Sequence, residues 1–247
     1  GKLFVLEHKK GREWRERWSF TSDDIIGEAP SVEDVDNDGR REVVFTTLPL
    51  DVDTDNGVVY VVKGNERGKL DVGDVKYKYQ LPYENLQGNY PGSIAHTAIA
   101  DIDLDGKKEI LVADYTGDLD WQGYLYVLEK PSWGKTLTLQ QKIEIGTNNI
   151  SGGSAGAPAI ANINTSDNYP EIVIPGPFGI HVYGYNGNQI VKLWNNTDAF
   201  IQSSAVIADV DSDNEYEIIY TTADSDTTCG TVSCSRKLHV VDGKTGV

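Results

Sequence analysis

The chain has 247 residues, a formal net charge of −16 and 39% hydrophobic residues, enough to bury a core in one domain or two. That acidity excludes a phosphate-binding face for nucleic acid, which needs clustered Lys and Arg. No apolar run approaches the roughly 20 residues that cross a bilayer as a helix.

The amino terminus opens in mid-strand with Leu3, Phe4, Val5 and Leu6, and 13–20 reads as a second strand. There is no Met and no signal sequence, so the chain is expected to be a processed or excised segment of something longer. A first Asp-rich loop follows Ala29 and Pro30, with Asp34, Asp36, Asp38, Gly39 and Glu42 running into apolar 43–45. Strands are predicted behind it at 58–62 and 75–81.

The phrase then recurs. Small apolar 97–100 leads into Asp101, Asp103, Asp105, Gly106 and Glu109, with apolar 110–112 behind, and strands are predicted at 124–128 and 137–145. A weaker third copy carries Asn162, Asn164 and Ser166, with Glu171 one residue late and strands at 179–183 and 189–194. The fourth has Asp209, Asp211, Asp213, Asn214 and Glu217, then 218–220 and 237–241. No segment holds a 3.6-residue apolar period, so little helix is expected.

Each unit reads as four strands, A to D, with the Asp loop joining A to B. Four-stranded antiparallel units repeated along a chain point to an all-β fold, a β-propeller. The expected blades are 27–84, 95–146, 156–195 and an incomplete 203–247, with 1–20 as part of a blade begun elsewhere. Blade four lacks a D strand, and either 12–20 supplies it or the strands lie outside this chain, in a larger ring. Strand A would line the axis, where Ala98, Ala100, Ala159, Ala161, Ala205 and Ala208 suit a crowded channel.

These residues resemble the FG-GAP/VCBS repeats of integrin-α-like propellers, closer to the VCBS form with its Ala-Pro ahead of the loop (Ala29 and Pro30; Ala157 and Pro158). The chain departs from the FG-GAP pattern after strand B, where Thr46 and Thr47, Ala113 and Asp114, Pro175 and Gly176, and Thr221 and Thr222 stand in place of Gly-Ala-Pro. The resemblance implies architecture and says little about ligand choice. It also implies that ligands meet the face opposite the Asp loops, here 48–56, 115–122, 146–155, 195–203 and 223–235.

Ca²⁺ takes six to eight oxygens from ligands that wrap around it. Loop one offers Asp34, Asp36, Asp38, the Arg40 carbonyl and Glu42; loop two offers Asp101, Asp103, Asp105, the Lys107 carbonyl and Glu109. Loop four offers Asp209, Asp211, Asp213, the Glu215 carbonyl and Glu217. A metal-free acidic turn is the alternative at any one loop, and three aligned copies favour about three structural Ca²⁺ ions. Asn162, Asn164, Ser166 and Glu171 make a weak site, and Asp51, Asp53 and Asp55, with Val59 at the ninth position, a weaker one.

Cys229 and Cys234 read as a disulfide closing a hairpin, with two free thiols as the alternative. Asn149, Asn164 and Asn195 head glycosylation sequons. His181 and His239 share a strand-C position with Phe4, Tyr60 and Tyr126 and are expected to pack, while His8 has no visible partner. Trp14, Trp18 and Trp194 fit packing between blades; Trp121 and His96 are the candidates on the ligand face.

The reading that follows is an extracellular, calcium-stabilised binding or adhesion module without catalysis of its own, meeting a protein or glycan ligand or neighbouring subunits. Two alternatives remain open, a polysaccharide lyase or hydrolase and a structural repeat of a surface layer or filament.

Overall fold

The computed structural model describes residues 1–8, 11, 13–27, 29–48, 57–82, 96–114, 123–145, 156–176, 179–196, 200–201, 203–223 and 236–247. These residues form strands and turns with no helix among them, so the fold is all-β. An amino-terminal hairpin pairs β1 (Lys2–His8) with β2 (Trp14–Thr21). The first four-stranded sheet runs β3 (Ser31–Glu33), β4 (Glu42–Thr46), β5 (Val58–Lys63) and β7 (Tyr77–Gln80), all antiparallel. Between β5 and β7, β6 (Gly68–Leu70) leaves the sheet and lies parallel to β2.

The second sheet is β8 (His96–Ala100), β9 (Glu109–Ala113), β10 (Gly123–Glu129) and β11 (Thr138–Ile145). The third is β12 (Ala159–Ala161), β13 (Glu171–Gly176), β14 (Gly179–Tyr185) and β15 (Ile190–Asn195). In the last, β16 (Phe200–Ile201) and β17 (Val206–Ala208) share one edge of β18 (Glu217–Ala223), and β19 (Arg236–Asp242) takes the other.

The second strand of each complete sheet explains its own composition. β4, β9 and β13 are buried along their whole length, because sheets cover both faces, and each is therefore a continuous apolar run behind one Glu. Four apolar clusters lie between consecutive sheets. Trp18, Phe20, Phe45 and Tyr60 fill the space between the hairpin and the first sheet. Val44, Val61, Ile110 and Tyr126 join the first to the second, Leu111, Leu125, Ile172 and Tyr183 the second to the third, and Val173, Val182, Ile218 and Tyr220 the third to the fourth. Each fully buried Val, Leu, Ile or Phe contributes about 1.5–3 kcal/mol, so these interfaces hold the stack in chain order. The first strands β3, β8, β12 and β17 lie side by side along it.

The register repeats as well. Val5, Val61, Val127 and Val182 pair with Trp18, Tyr77, Gln141 and Trp194, one residue ahead of a β-bulge in three of the four cases. Three of these outer-strand side chains latch onto the next sheet. Trp18 Nε1 donates to the Gly64 carbonyl (3.1 Å), Gln141 Nε2 to the Ile190 carbonyl (2.8 Å) and Trp194 Nε1 to the Gly243 carbonyl (3.1 Å).

Residues 13–20 do not close the fourth sheet. β2 spends its edges on β1 and β6, and its Trp18 and Phe20 are buried against the first sheet. Trp14 also departs from expectation: it is 67% exposed, its ring 5.0 Å from that of His8, because the two pair at the loop end of the hairpin. His8 thus has a ring partner.

Candidate metal centres

All four loops share one clamp. The Glu that begins each second strand turns its carboxylate back into the loop and accepts the backbone N–H of the second loop residue. The distances are 3.0 Å for Glu42 and Val35, 2.8 Å for Glu109 and Ile102, 2.6 Å for Glu171 and Ile163, and 2.8 Å for Glu217 and Val210. The same second residue points its side chain into the next interface. Val35, Ile102 and Ile163 are buried there, whereas Val210 of the outermost sheet is 51% exposed.

The leading Asp caps the turn. Asp34 accepts the N–H groups of Asp38 (3.1 Å) and Gly39 (2.8 Å), Asp101 that of Gly106 (3.0 Å), and Asp209 those of Ser212 (2.7 Å) and Asn214 (3.1 Å). The fifth residue accepts the seventh N–H: Asp38 from Arg40, Asp105 from Lys107 and Asp213 from Glu215, at 2.8–2.9 Å. Two residues in each of loops one, two and four adopt a left-handed backbone. They are Asn37 and Gly39, Leu104 and Gly106, and Ser212 and Asn214. Gly39 and Gly106 take this conformation freely; Leu104, at φ +58°, takes it at a steric cost.

These folds bring three carboxylate trios together. Asp34, Asp36 and Glu42 form one, Asp101, Asp103 and Glu109 another, and Asp209, Asp211 and Glu217 the third, with ligand oxygens within 4.8 Å of one another. Each trio could hold a metal ion. In loop two the crowding of the acids is visible in the electrostatics. Burial, with Asp103, Asp101 and Asp105 nearby, pushes the Glu109 carboxyl up from 4.5 to about 7, against the Ile102 N–H that lowers it. Asp101 Oδ1 is buried there with no hydrogen-bond partner among the described residues. Beside it a cleft of about 500 Å³ is lined by Asp103, Asp105, Glu129, Gln140 and Tyr185.

Loop one differs, because Lys76 reaches into it. Its Nζ lies 2.7 Å from Asp36 Oδ2, 2.8 Å from Glu42 Oε1 and 3.2 Å from Asp38 Oδ2, and Tyr77 OH donates to the same Asp36 oxygen at 2.9 Å. Burial opposes the charge on Lys76, but the hydrogen bonds it donates to Asp36, Glu42 and Asp38 outweigh it and hold the ammonium above the ordinary lysine value. Burial likewise raises Asp36, and Lys76 and Tyr77 reverse that shift to a net lowering. Loops one and two touch through Asn37 Nδ2 on the Gly106 carbonyl (2.6 Å) and Lys108 on Glu33 (3.0 Å).

Loop three is closed by its own neutral groups. Asn162 Nδ2 donates to the Asp167 carbonyl (3.1 Å) and Ser166 Oγ to Asn164 Oδ1 (2.7 Å), while Glu171, despite the extra loop residue, clamps both Ile163 and Asn164. Asn164 therefore spends its amide inside the loop, and Asn195 is exposed at the end of β15.

The remaining candidates divide. His181 is 2% exposed against the second-sheet side, and neither ring nitrogen has a hydrogen-bond partner among the described residues. Burial, with Lys192 nearby, pushes it down to about 4. His239 stacks on Tyr220 at 4.8 Å and meets Thr222 Oγ1 at 2.9 Å. His96 begins β8 and is half-buried. Trp121, Cys229, Cys234, Asn149 and the stretch with Asp51, Asp53 and Asp55 lie outside the described residues, as does most of the expected ligand face. Sequence reasoning missed Lys76 and the Trp18, Gln141 and Trp194 latches, which only strand register brings to their partners.

No family model and no curated protein matches this chain. Among solved structures it is similar to Bacillus licheniformis rhamnogalacturonan lyase PL11, with a TM-score of 0.53 and 20% sequence identity over 79% of this chain. The chain spans about 40% of that protein's length, and the likeness is one of fold.

Proposed function

We propose that this chain is a calcium-stabilised, non-catalytic binding module, a run of propeller blades of FG-GAP/VCBS type from a secreted or cell-surface protein. The observation that carries the reading is the repetition of one carboxylate trio at one register position in three sheets. Carboxylate oxygens on a turn with two left-handed residues suit a hard cation that accepts irregular coordination, and Ca²⁺ fits better than Mg²⁺, which demands a tight octahedron. Asp101, Asp103, Asp105 and Glu109 would hold one ion, and Asp209, Asp211, Asp213 and Glu217 another. The ion cancels repulsion among acids that the fold has forced together, and so fixes the A–B turn. The Asp loops then serve as scaffold, leaving the opposite rim for a protein or glycan ligand.

The outermost sheets support a stack that continues. Phe4 and Leu6 on one end, and Val206, Leu238 and Val240 on the other, are each at least half exposed on faces patterned like the interior ones. Further blades or neighbouring subunits would cover them. Isothermal titration tests the calcium reading: heat of binding with Ca²⁺, weaker with Mg²⁺ and abolished at one site by Asp101→Asn, supports it. Equal binding of both ions, or none, refutes it.

A second reading is favoured by the lyase likeness together with the cleft beside loop two, which offers Glu129, Gln140 and Tyr185 to a sugar. In that case the chain is part of a carbohydrate-active protein. Incubation with pectic polysaccharide, followed by ultraviolet absorbance of an unsaturated product, separates the two.

A further inference from the structure

We infer that the first loop carries its own cation: the Lys76 ammonium takes the place a divalent ion takes in loops two and four, so this chain binds two Ca²⁺ ions and not three. The inference rests on the calcium reading of loops two and four and narrows it.

The argument is one of position. One residue ahead of Tyr77, Gln141 and Trp194 on the outer strand stand Lys76, Gln140 and Leu193, and the first two lie beside the Asp loop of their own sheet. Gln140 instead leaves the loop-two trio facing the cleft, its amide turned to Glu129 at 3.1 Å. Leu193 belongs to the sheet whose loop has its acids replaced by Asn162, Asn164 and Ser166.

The lysines near the other complete trios do not do the same. Lys107 bridges Asp105 (2.9 Å) and Glu129 (3.1 Å) at the rim, with about half its side chain exposed, and Lys244 pairs with Glu215 (2.7 Å). Lys76 has 11% of its side chain exposed and meets Asp36, Asp38 and Glu42 at once. Those three contacts, at 2.7–3.2 Å, use oxygens that Ca²⁺ would need at about 2.3–2.6 Å, so ion and ammonium exclude each other. Of the remaining oxygens of loop one, both of Asp34 accept N–H groups, Asp38 Oδ1 accepts that of Arg40 and Glu42 Oε2 that of Val35, while Asp36 Oδ1 is buried with no hydrogen-bond partner among the described residues. The ammonium pairs only once β7 docks, so loop one is closed by folding rather than by the medium.

Equilibrium dialysis against saturating Ca²⁺, with bound metal counted by atomic emission, tests this on the whole chain. The expected result is two ions per wild-type chain, reduced to one by Asp101→Asn or by Asp209→Asn and unchanged by Asp34→Asn. Lys76→Met is expected to bind three, and its melting temperature to respond to Ca²⁺ more steeply than wild type. Three ions on the wild type, or loss of one on Asp34→Asn, overturns the inference while leaving the calcium reading intact. No ion on either protein overturns both. The wild-type and Asp34→Asn counts need no Lys76 variant, so the inference remains exposed to refutation if that variant does not fold.

Discussion

Replacing Glu109 by Gln should make the chelated protein more stable, not less. Glu109 is 5% exposed, and its carboxyl is raised from 4.5 to about 7 by burial among Asp103, Asp101 and Asp105. A carboxyl raised on folding binds its proton more tightly in the folded state. Its stability contribution is therefore full below pH 4.5 and is lost as pH rises to about 7. At about 1.4 kcal/mol per unit, the charge costs the metal-free fold up to about 3 kcal/mol above pH 7. Gln removes the charge and keeps an oxygen for the Ile102 N–H at 2.8 Å.

In a chelator at pH 8, Glu109→Gln should then melt above wild type, by up to about 6–12 °C for a domain of this size. At pH 4.5 the two should converge. Adding Ca²⁺ should narrow the gap at pH 8, by about 1.4 kcal/mol at tenfold excess over the dissociation constant. Differential scanning calorimetry across pH, with and without chelator, reads all three. If the variant melts below wild type in chelator at pH 8, Glu109 is not held at an electrostatic cost and the reasoning fails.

Substitutions at three further positions test other parts of the structure. His181→Phe removes two buried ring nitrogens that have no hydrogen-bond partner among the described residues, at a position where the first two sheets carry Tyr60 and Tyr126. It should stabilise by about 1–3 kcal/mol in urea melts at pH 7. Because His181 is depressed from 6.5 to about 4, wild type should also lose stability as pH falls through that window, and the variant should not. Leu104→Asn relieves a left-handed backbone at an exposed turn and should add about 1 kcal/mol, whereas Leu104→Val should be worse than wild type. Gly64→Ala would set a methyl 2.6 Å from the Arg41 carbonyl oxygen, beside the carbonyl that accepts Trp18 Nε1. A loss of about 1–3 kcal/mol is expected, with the Trp18 fluorescence shifting as the latch opens.

Local pattern carried the strands because the apolar phrases are bounded and repeated: 58–62, 124–128, 179–183 and 237–241 fall inside β5, β10, β14 and β19. The Asp loops were legible for a similar reason, since alternate acids before a Gly describe a turn without reference to anything distant. What stayed hidden was set by register. Lys76 lies 34 residues beyond Glu42, and nothing in the local sequence of 63–76 marks it as a partner of the loop. Trp18 and Trp194 read as outer-strand packing, but their bonds to the Gly64 and Gly243 carbonyls depend on how one sheet seats on the next. The parallel pairing of β6 with β2 is hidden in the same way, inside a stretch with the look of an insertion.

One pair of melting curves bears most directly on the central claim that cations close the Asp loops and hold the stack. In millimolar Ca²⁺ the melting temperature should exceed that in chelator by about 6–11 °C, from two sites each worth about 1.4 kcal/mol at tenfold excess. Mg²⁺ at the same concentration should give a smaller rise. Identical midpoints in Ca²⁺ and chelator would contradict the account.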